Sequence, residues 1–112
     1  MATEWHVTWS DEARQDLDEI VDYIADDSPT TAQDVFDKVV ARVGSRKRTA
    51  GRGRLVPEVT ISVEPPLREL IEGPWRIMYA IAEGQVVIAA IVDGRRDIQA
   101  FLRERFAWPA DN

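Results

Sequence analysis

Between Leu67 and Asp97 the chain reads LRELIEGPWRIMYAIAEGQVVIAAIVDGRRD, apolar runs separated by two tight-turn signals and closed by a basic end. Trp75 to Ile81 has strand composition, and Glu83-Gly84 supplies the two residues a hairpin turn requires. Gln85 to Val92 follows as a nearly continuous apolar run, the pattern of a strand buried on both faces. Ahead of them, Leu67 to Ile71 is strand-like and Glu72-Gly73-Pro74 is a turn. Three strands joined this tightly must form an antiparallel meander. Arg68, Arg76, Arg95 and Arg96 sit on it or just beyond it, so the sheet presents guanidinium groups suited to anionic or carboxylate-bearing partners.

The remaining sequence must cover this meander. At 112 residues the chain is expected to form a single domain over 1–112, with 45% hydrophobic and 30% charged residues marking it as globular. No apolar stretch approaches the roughly 20 residues of a membrane span, and Met1 to Trp5 lacks the regions of a signal peptide. A cytoplasmic protein without membrane partners is expected. Cysteine is absent, which removes disulfides and thiolate zinc sites, and neither metal nor cofactor is expected. The net charge is -6, unevenly spread: residues 1–41 hold 11 acids against Arg14 and Lys38, whereas residues 42–112 hold 12 basic residues against nine acids. Two surfaces of opposite sign are therefore expected.

Trp5, Val7 and Trp9 alternate with polar residues as a half-buried strand, with His6 on the polar side. Ser10 offers a helix N-cap, and Ala13, Leu17, Ile20, Val21 and Ile24 form an apolar stripe. After Asp26-Asp27, Ser28-Pro29 starts a second helix with its stripe at Ala32, Val35, Phe36, Val39, Val40 and Val43. The connector is so short that the helices must pair as an antiparallel hairpin. Ser45 to Arg54, SRKRTAGRGR, reads as a basic loop after Gly44. Val59, Ile61 and Val63 alternate between prolines, as an edge strand or an extended connector. Asp97 can cap a last helix carrying Ile98, Phe101, Leu102 and Phe106, and Trp108 to Asn112 is a tail. The expected fold is α+β: an N-terminal strand and an α-helical hairpin packed on an antiparallel sheet of about four strands, with a short C-terminal helix.

This order, with Gly53-Arg54-Leu55-Val56-Pro57-Glu58, Arg68-Glu69-Leu70-Ile71, Trp75-Arg76-Ile77-Met78-Tyr79 and Val92-Asp93-Gly94-Arg95-Arg96-Asp97, resembles the RelE/ParE toxin superfamily. These are toxins of bacterial type II toxin–antitoxin modules, also known as plasmid stabilisation systems. The resemblance covers Trp5 to about Leu102 and implies two N-terminal helices against the sheet, growth inhibition, and a cognate antitoxin that wraps the toxin. Two activities occur in the superfamily: RelE-type members cut messenger RNA on the ribosome and ParE-type members poison DNA gyrase, while other members have no well-established target.

Cleavage by 2′-OH attack needs a base, cations for the phosphorane and an acid for the leaving oxygen. By resemblance, Glu58 would be the base, and Arg68 and Arg76 would hold the phosphate. Salt bridges of Arg68 with Glu69 or Glu58, and of Arg76 with Glu72, are the plain structural alternative. Arg46, Lys47, Arg48, Arg52 and Arg54, with Arg95 and Arg96, form the candidate surface for nucleic acid or another target. The ribonuclease branch often keeps a His or Tyr near its end, but neither residue follows Tyr79 here. Arginine cannot serve as the acid, because it stays protonated. A Gly-Arg-Arg-Asp stretch before a helix is more similar to ParE-type members, which bind a protein and need no catalytic set. In that reading Leu67, Trp75, Phe106 and Trp108 are candidate anchors. Gyrase is the expected target, with ribosome and mRNA as the alternative.

Overall fold

The computed structural model describes residues 5–59 and 63–106, apart from the side chain of Arg48. The middle of the Val59–Val63 stretch and the tail with Trp108 lie outside the described residues. The elements run β1 (His6–Trp9), α1 (Asp11–Ala25), α2 (Pro29–Gly44), a one-turn α3 (Arg46–Thr49), a 3-10 turn (Ala50–Arg52), β2 (Arg54–Leu55), β3 (Leu67–Glu72), β4 (Trp75–Ala82), β5 (Gln85–Asp93) and α4 (Ile98–Phe106). The fold is α+β, as expected. Among the described residues no helix is long and apolar enough to cross a membrane.

Local chemistry sets the helix starts. Ser10 Oγ accepts Ala13 N–H at 3.1 Å, Ser28 Oγ accepts Thr31 N–H at 3.2 Å, and Asp97 Oδ1 accepts Ala100 N–H at 3.0 Å. Each satisfies a donor that the first helical turn leaves open. In the sheet, the β4–β5 turn places Glu83 at φ 52 and Gly84 at φ 77, the left-handed pair a two-residue hairpin takes.

The sheet has five strands in the order β1-β5-β4-β3-β2. Strands β2 to β5 pair antiparallel, whereas β1 adds to β5 in parallel, from His6↔Gln85 to Trp9↔Ile88. The sheet is thus mixed, because the chain leaves β1 through the helix hairpin and returns only after the meander is complete. Leu70, Ile77, Tyr79, Val86, Ile88 and Ile91 face α1 and α2 and form the larger core. On the opposite face Leu67, Met78, Ala90 and Val92 pack with Val56 and with Ile98, Phe101 and Leu102 of α4. Alternation sorts the side chains onto two differently covered faces, and a bulge in β5 between Ile88 and Ala90 shifts the pattern so that Ile88 and Ile91 share a face.

Ser45 to Arg54 departs from the expected loop, since it winds into α3 and the 3-10 turn. Thr49 Oγ1 donates to Ser45 C=O at 2.9 Å, and Ala50 is buried. Tyr79, fully buried in β4, donates its hydroxyl hydrogen to Ala50 C=O at 2.7 Å and accepts Gly53 N–H at 2.9 Å. A Cβ at Gly53 would overlap that hydroxyl. The segment is pinned by a residue 26 positions further on, a contact that local composition does not reveal.

Candidate functional site

On the α4-side face of the sheet, four charged side chains converge. Arg76, only 7% exposed, donates from Nη1 to Glu58 Oε2 at 2.8 Å and from Nη2 to Glu58 Oε1 at 2.6 Å. Its Nε donates to Glu69 Oε1 at 2.6 Å, and Nη2 donates to Glu69 Oε2 at 3.0 Å. Glu69, itself buried, accepts a further bond from Arg54 Nε at 2.6 Å. The partner expected for Arg76, Glu72, is replaced by Glu58 and Glu69. The register explains Glu69. Arg76 lies opposite Ile71, so Glu69 is its same-face diagonal neighbour, two positions along β3. Glu58 arrives from the segment after β2, and its bidentate bond ties that segment to the sheet.

This pairing sets the protonation states. The hydrogen bonds from Arg76 hold the Glu58 carboxyl below its ordinary value, outweighing the opposing effect of partial burial. Arg76 is raised further above its normal range, first by Glu58 and then by Glu69. Glu58 is thus an ionised carboxylate with both oxygens occupied, and the Arg76 guanidinium faces two carboxylates.

Arg68 is elsewhere. It sits opposite Tyr79 in the β3–β4 register, one residue from Glu69 and therefore on the helix-hairpin face. There Nη1 donates to Gly53 C=O at 2.9 Å. Of the three residues considered for cleavage, Glu58 and Arg76 are brought together, and Arg68 is on the other side of the sheet.

The basic residues after α2 are spread around α3. Arg46 folds back on its own turn, with Nη1 donating to Thr49 C=O at 3.3 Å and Nη2 to Ser45 Oγ at 3.3 Å. Lys47 and Arg52 are exposed, and the Arg54 side chain is 60% exposed despite its bond to Glu69. Nothing is described of the Arg48 side chain. At the far end of the sheet, Arg95 pairs with Asp93 at 2.7 Å, and Arg96 stands 5.5 Å from the centre of the Phe101 ring. Of the candidate anchors, Leu67 is buried, and Trp75 and Phe106 are half-buried.

Glu69, expected as a partner of Arg68, serves Arg76 and Arg54 instead. A pair not singled out from the sequence completes the picture: Asp16 of α1 binds Arg105 of α4 through both oxygens, at 2.6 and 3.0 Å. Asp16 Oδ2 also accepts Ile91 N–H at 2.9 Å, and Arg105 Nη1 donates to Ala89 C=O at 3.2 Å. The signal for Glu69 was the hairpin register, which the turn residues define. Nothing local links Asp16 to Arg105, 89 residues away. Among the described residues no group of three or more His, Asp or Glu is arranged to hold a metal ion.

Residues 7–98 match the family described as ParE toxin of type II toxin-antitoxin system, parDE. A comparison with curated proteins finds no match. Among solved structures the chain is similar to the chromosomal ParDE TA system from P. aeruginosa, with 24% identity and a TM-score of 0.66 over 81% of this chain and 97% of that one. That likeness is one of fold.

Proposed function

The chain belongs to the ParE toxins of type II toxin–antitoxin systems, and from that membership we propose that it inhibits growth in the cytoplasm by binding DNA gyrase, until a cognate antitoxin neutralises it. One observation carries the choice of a binding over a cleaving mechanism. The residues that cleavage would need are split across two faces of the sheet, and the two that meet are bound to each other. A base must reach the 2′-hydroxyl within about 2.6–3.2 Å, and its pKa should lie near the working pH. Glu58 has both oxygens on Arg76 and a lowered pKa. A phosphate would also have to displace two carboxylates from Arg76. Binding a protein asks for none of this. It asks for a rigid platform, with exposed cations such as Lys47, Arg52, Arg54 and Arg95 at its borders.

Glu58→Gln separates the two mechanisms, because it keeps the shape and removes the charge. Expressed without antitoxin, wild type and variant are both expected to slow growth, and both inhibit gyrase supercoiling in vitro. Codon-phased messenger cuts that disappear in soluble, folded Glu58→Gln would overturn the gyrase reading in favour of ribosome-dependent cleavage. Unimpeded growth with soluble wild-type protein would count against both.

A further inference from the structure

Residues 42–54 carry six cations and no Asp or Glu. One or two of them would serve the negative end of the α2 dipole, and the rest have no such use. Arg42, Lys47 and Arg52 are exposed, with no side-chain partner among the described residues. Arg46 bonds only to Thr49 C=O and Ser45 Oγ, both neutral, so its charge is not offset. Arg68 reaches the same segment from β3, again through a neutral group, Gly53 C=O at 2.9 Å. The acids nearby do not compensate. Glu58 and Glu69 are taken by Arg76 and Arg54, and Asp37 stands more than one turn of α2 before Arg42. The segment is also held still. Tyr79 fixes Ala50 and Gly53, and Trp5 N–H donates to Lys47 C=O at 2.7 Å, so the cations are spread over preformed turns.

We infer that this segment contacts the phosphate backbone of the duplex DNA that gyrase holds, so that the toxin binds the gyrase–DNA complex more tightly than gyrase alone. Guanidinium and ammonium groups match phosphate oxygens in charge and, for Arg, in bidentate geometry. The segment lacks the means of reading bases. Helix α3 is a single turn, too short to lie along a major groove, and residues 42–54 contain no aromatic side chain on which an unpaired base could stack. What remains is backbone contact, which positions a protein without reading sequence. The net charge of -6 works against capture of free DNA. DNA already held by gyrase needs only one side of the toxin, and the 42–54 segment is a basic side.

The inference rests on the gyrase target proposed above. Its test measures the affinity of the full-length toxin for gyrase with and without a bound duplex, and takes the ratio of the two. The ratio isolates the DNA contact even where a residue also touches gyrase. For wild type it is expected to be about tenfold or more at about 0.1 M salt, falling with a log–log slope of about -3, that of three phosphate contacts. Arg42→Gln/Arg52→Gln, at exposed positions where folding is retained, should bring the ratio toward one and the slope to about -1. Arg14→Gln/Arg103→Gln removes the same net charge from exposed positions on α1 and α4 and should leave the ratio as in wild type. Equal affinity with and without DNA, or a ratio untouched by Arg42→Gln/Arg52→Gln, overturns the DNA contact while the gyrase target stands. Salt-sensitive binding to DNA-free gyrase that this variant weakens, with a ratio of one, assigns the cations to an acidic surface of gyrase and overturns the DNA contact as well. Absence of binding to gyrase in either form overturns the gyrase target, and the DNA contact with it.

Discussion

Arg76 carries a permanent charge to a position only 7% exposed, an arrangement that survives because two carboxylates meet it there. Removing Arg76 would leave the buried Glu69 with Arg54 alone and take both ion-pair bonds from the part-exposed Glu58, and breaking a buried pair costs about 3–5 kcal/mol. Arg76→Ala is therefore expected to lose stability of that order in urea denaturation; a change below about 1 kcal/mol, typical of an exposed pair, would mean that the site is hydrated. Acid should act through the carboxylates that arginine partners hold ionised. Glu58 and Asp93 both have folded pKa values below their ordinary ones, so each adds stability that is complete above its ordinary value and is lost as pH falls through the folded one. For Asp93, held down to about 2 by bonds from Arg95, that window runs from 3.8 to about 2. A thermal-melt series should fall progressively below about pH 4.5, the ordinary Glu58 value. Glu58→Gln should start from lower stability at neutral pH and fall with a shallower slope. Parallel curves for the two proteins would disprove the linkage.

At the scale of elements, what was local was legible and what was distant was not. Ser10, Ser28 and Asp97 act as the caps their positions imply, and the meander follows from its turn residues. The split of Arg68 from Arg76 also follows from counting along β3 and β4, once Gly73-Pro74 sets the register. By contrast, the parallel addition of β1 joins residues 79 positions apart. The winding of residues 46–52 depends on the buried Tyr79 hydroxyl, while glycine and charge in the segment suggested a loop. The Asp16–Arg105 bond is equally remote in sequence, and it joins α1, the uncovered edge of β5 and α4 in one contact. With both side chains mostly buried, at 12% and 19% exposure, a double-mutant cycle of Asp16→Ala and Arg105→Ala should give a coupling of about 1–3 kcal/mol. Additive effects would show that α4 is held by Ile98, Phe101 and Leu102 alone.

Across the whole molecule the charges are sorted by element. Helices α1 and α2 carry most of an N-terminal excess of acids, whereas the later residues are net basic, with six of their 12 cations between Arg42 and Arg54. A net charge of -6 is a poor credential for entering an RNA-lined cavity, since polyanion binding rests on cation contacts that release counterions. The same separation suits a protein partner of complementary polarity. Such a partner is attracted over a distance set by the Debye length, about 10 Å at 0.1 M salt and 3 Å at 1 M. The acidic side is that of α1 and α2, so a basic segment of a partner would be drawn toward these helices before contact. Steering of this kind changes the association rate far more than dissociation. Stopped-flow measurement of antitoxin binding should therefore show the on-rate falling about tenfold or more between low and high salt, with the off-rate nearly constant. Glu19→Lys should flatten that dependence. A salt-independent on-rate would mean that the acidic helices are solvated without guiding any partner.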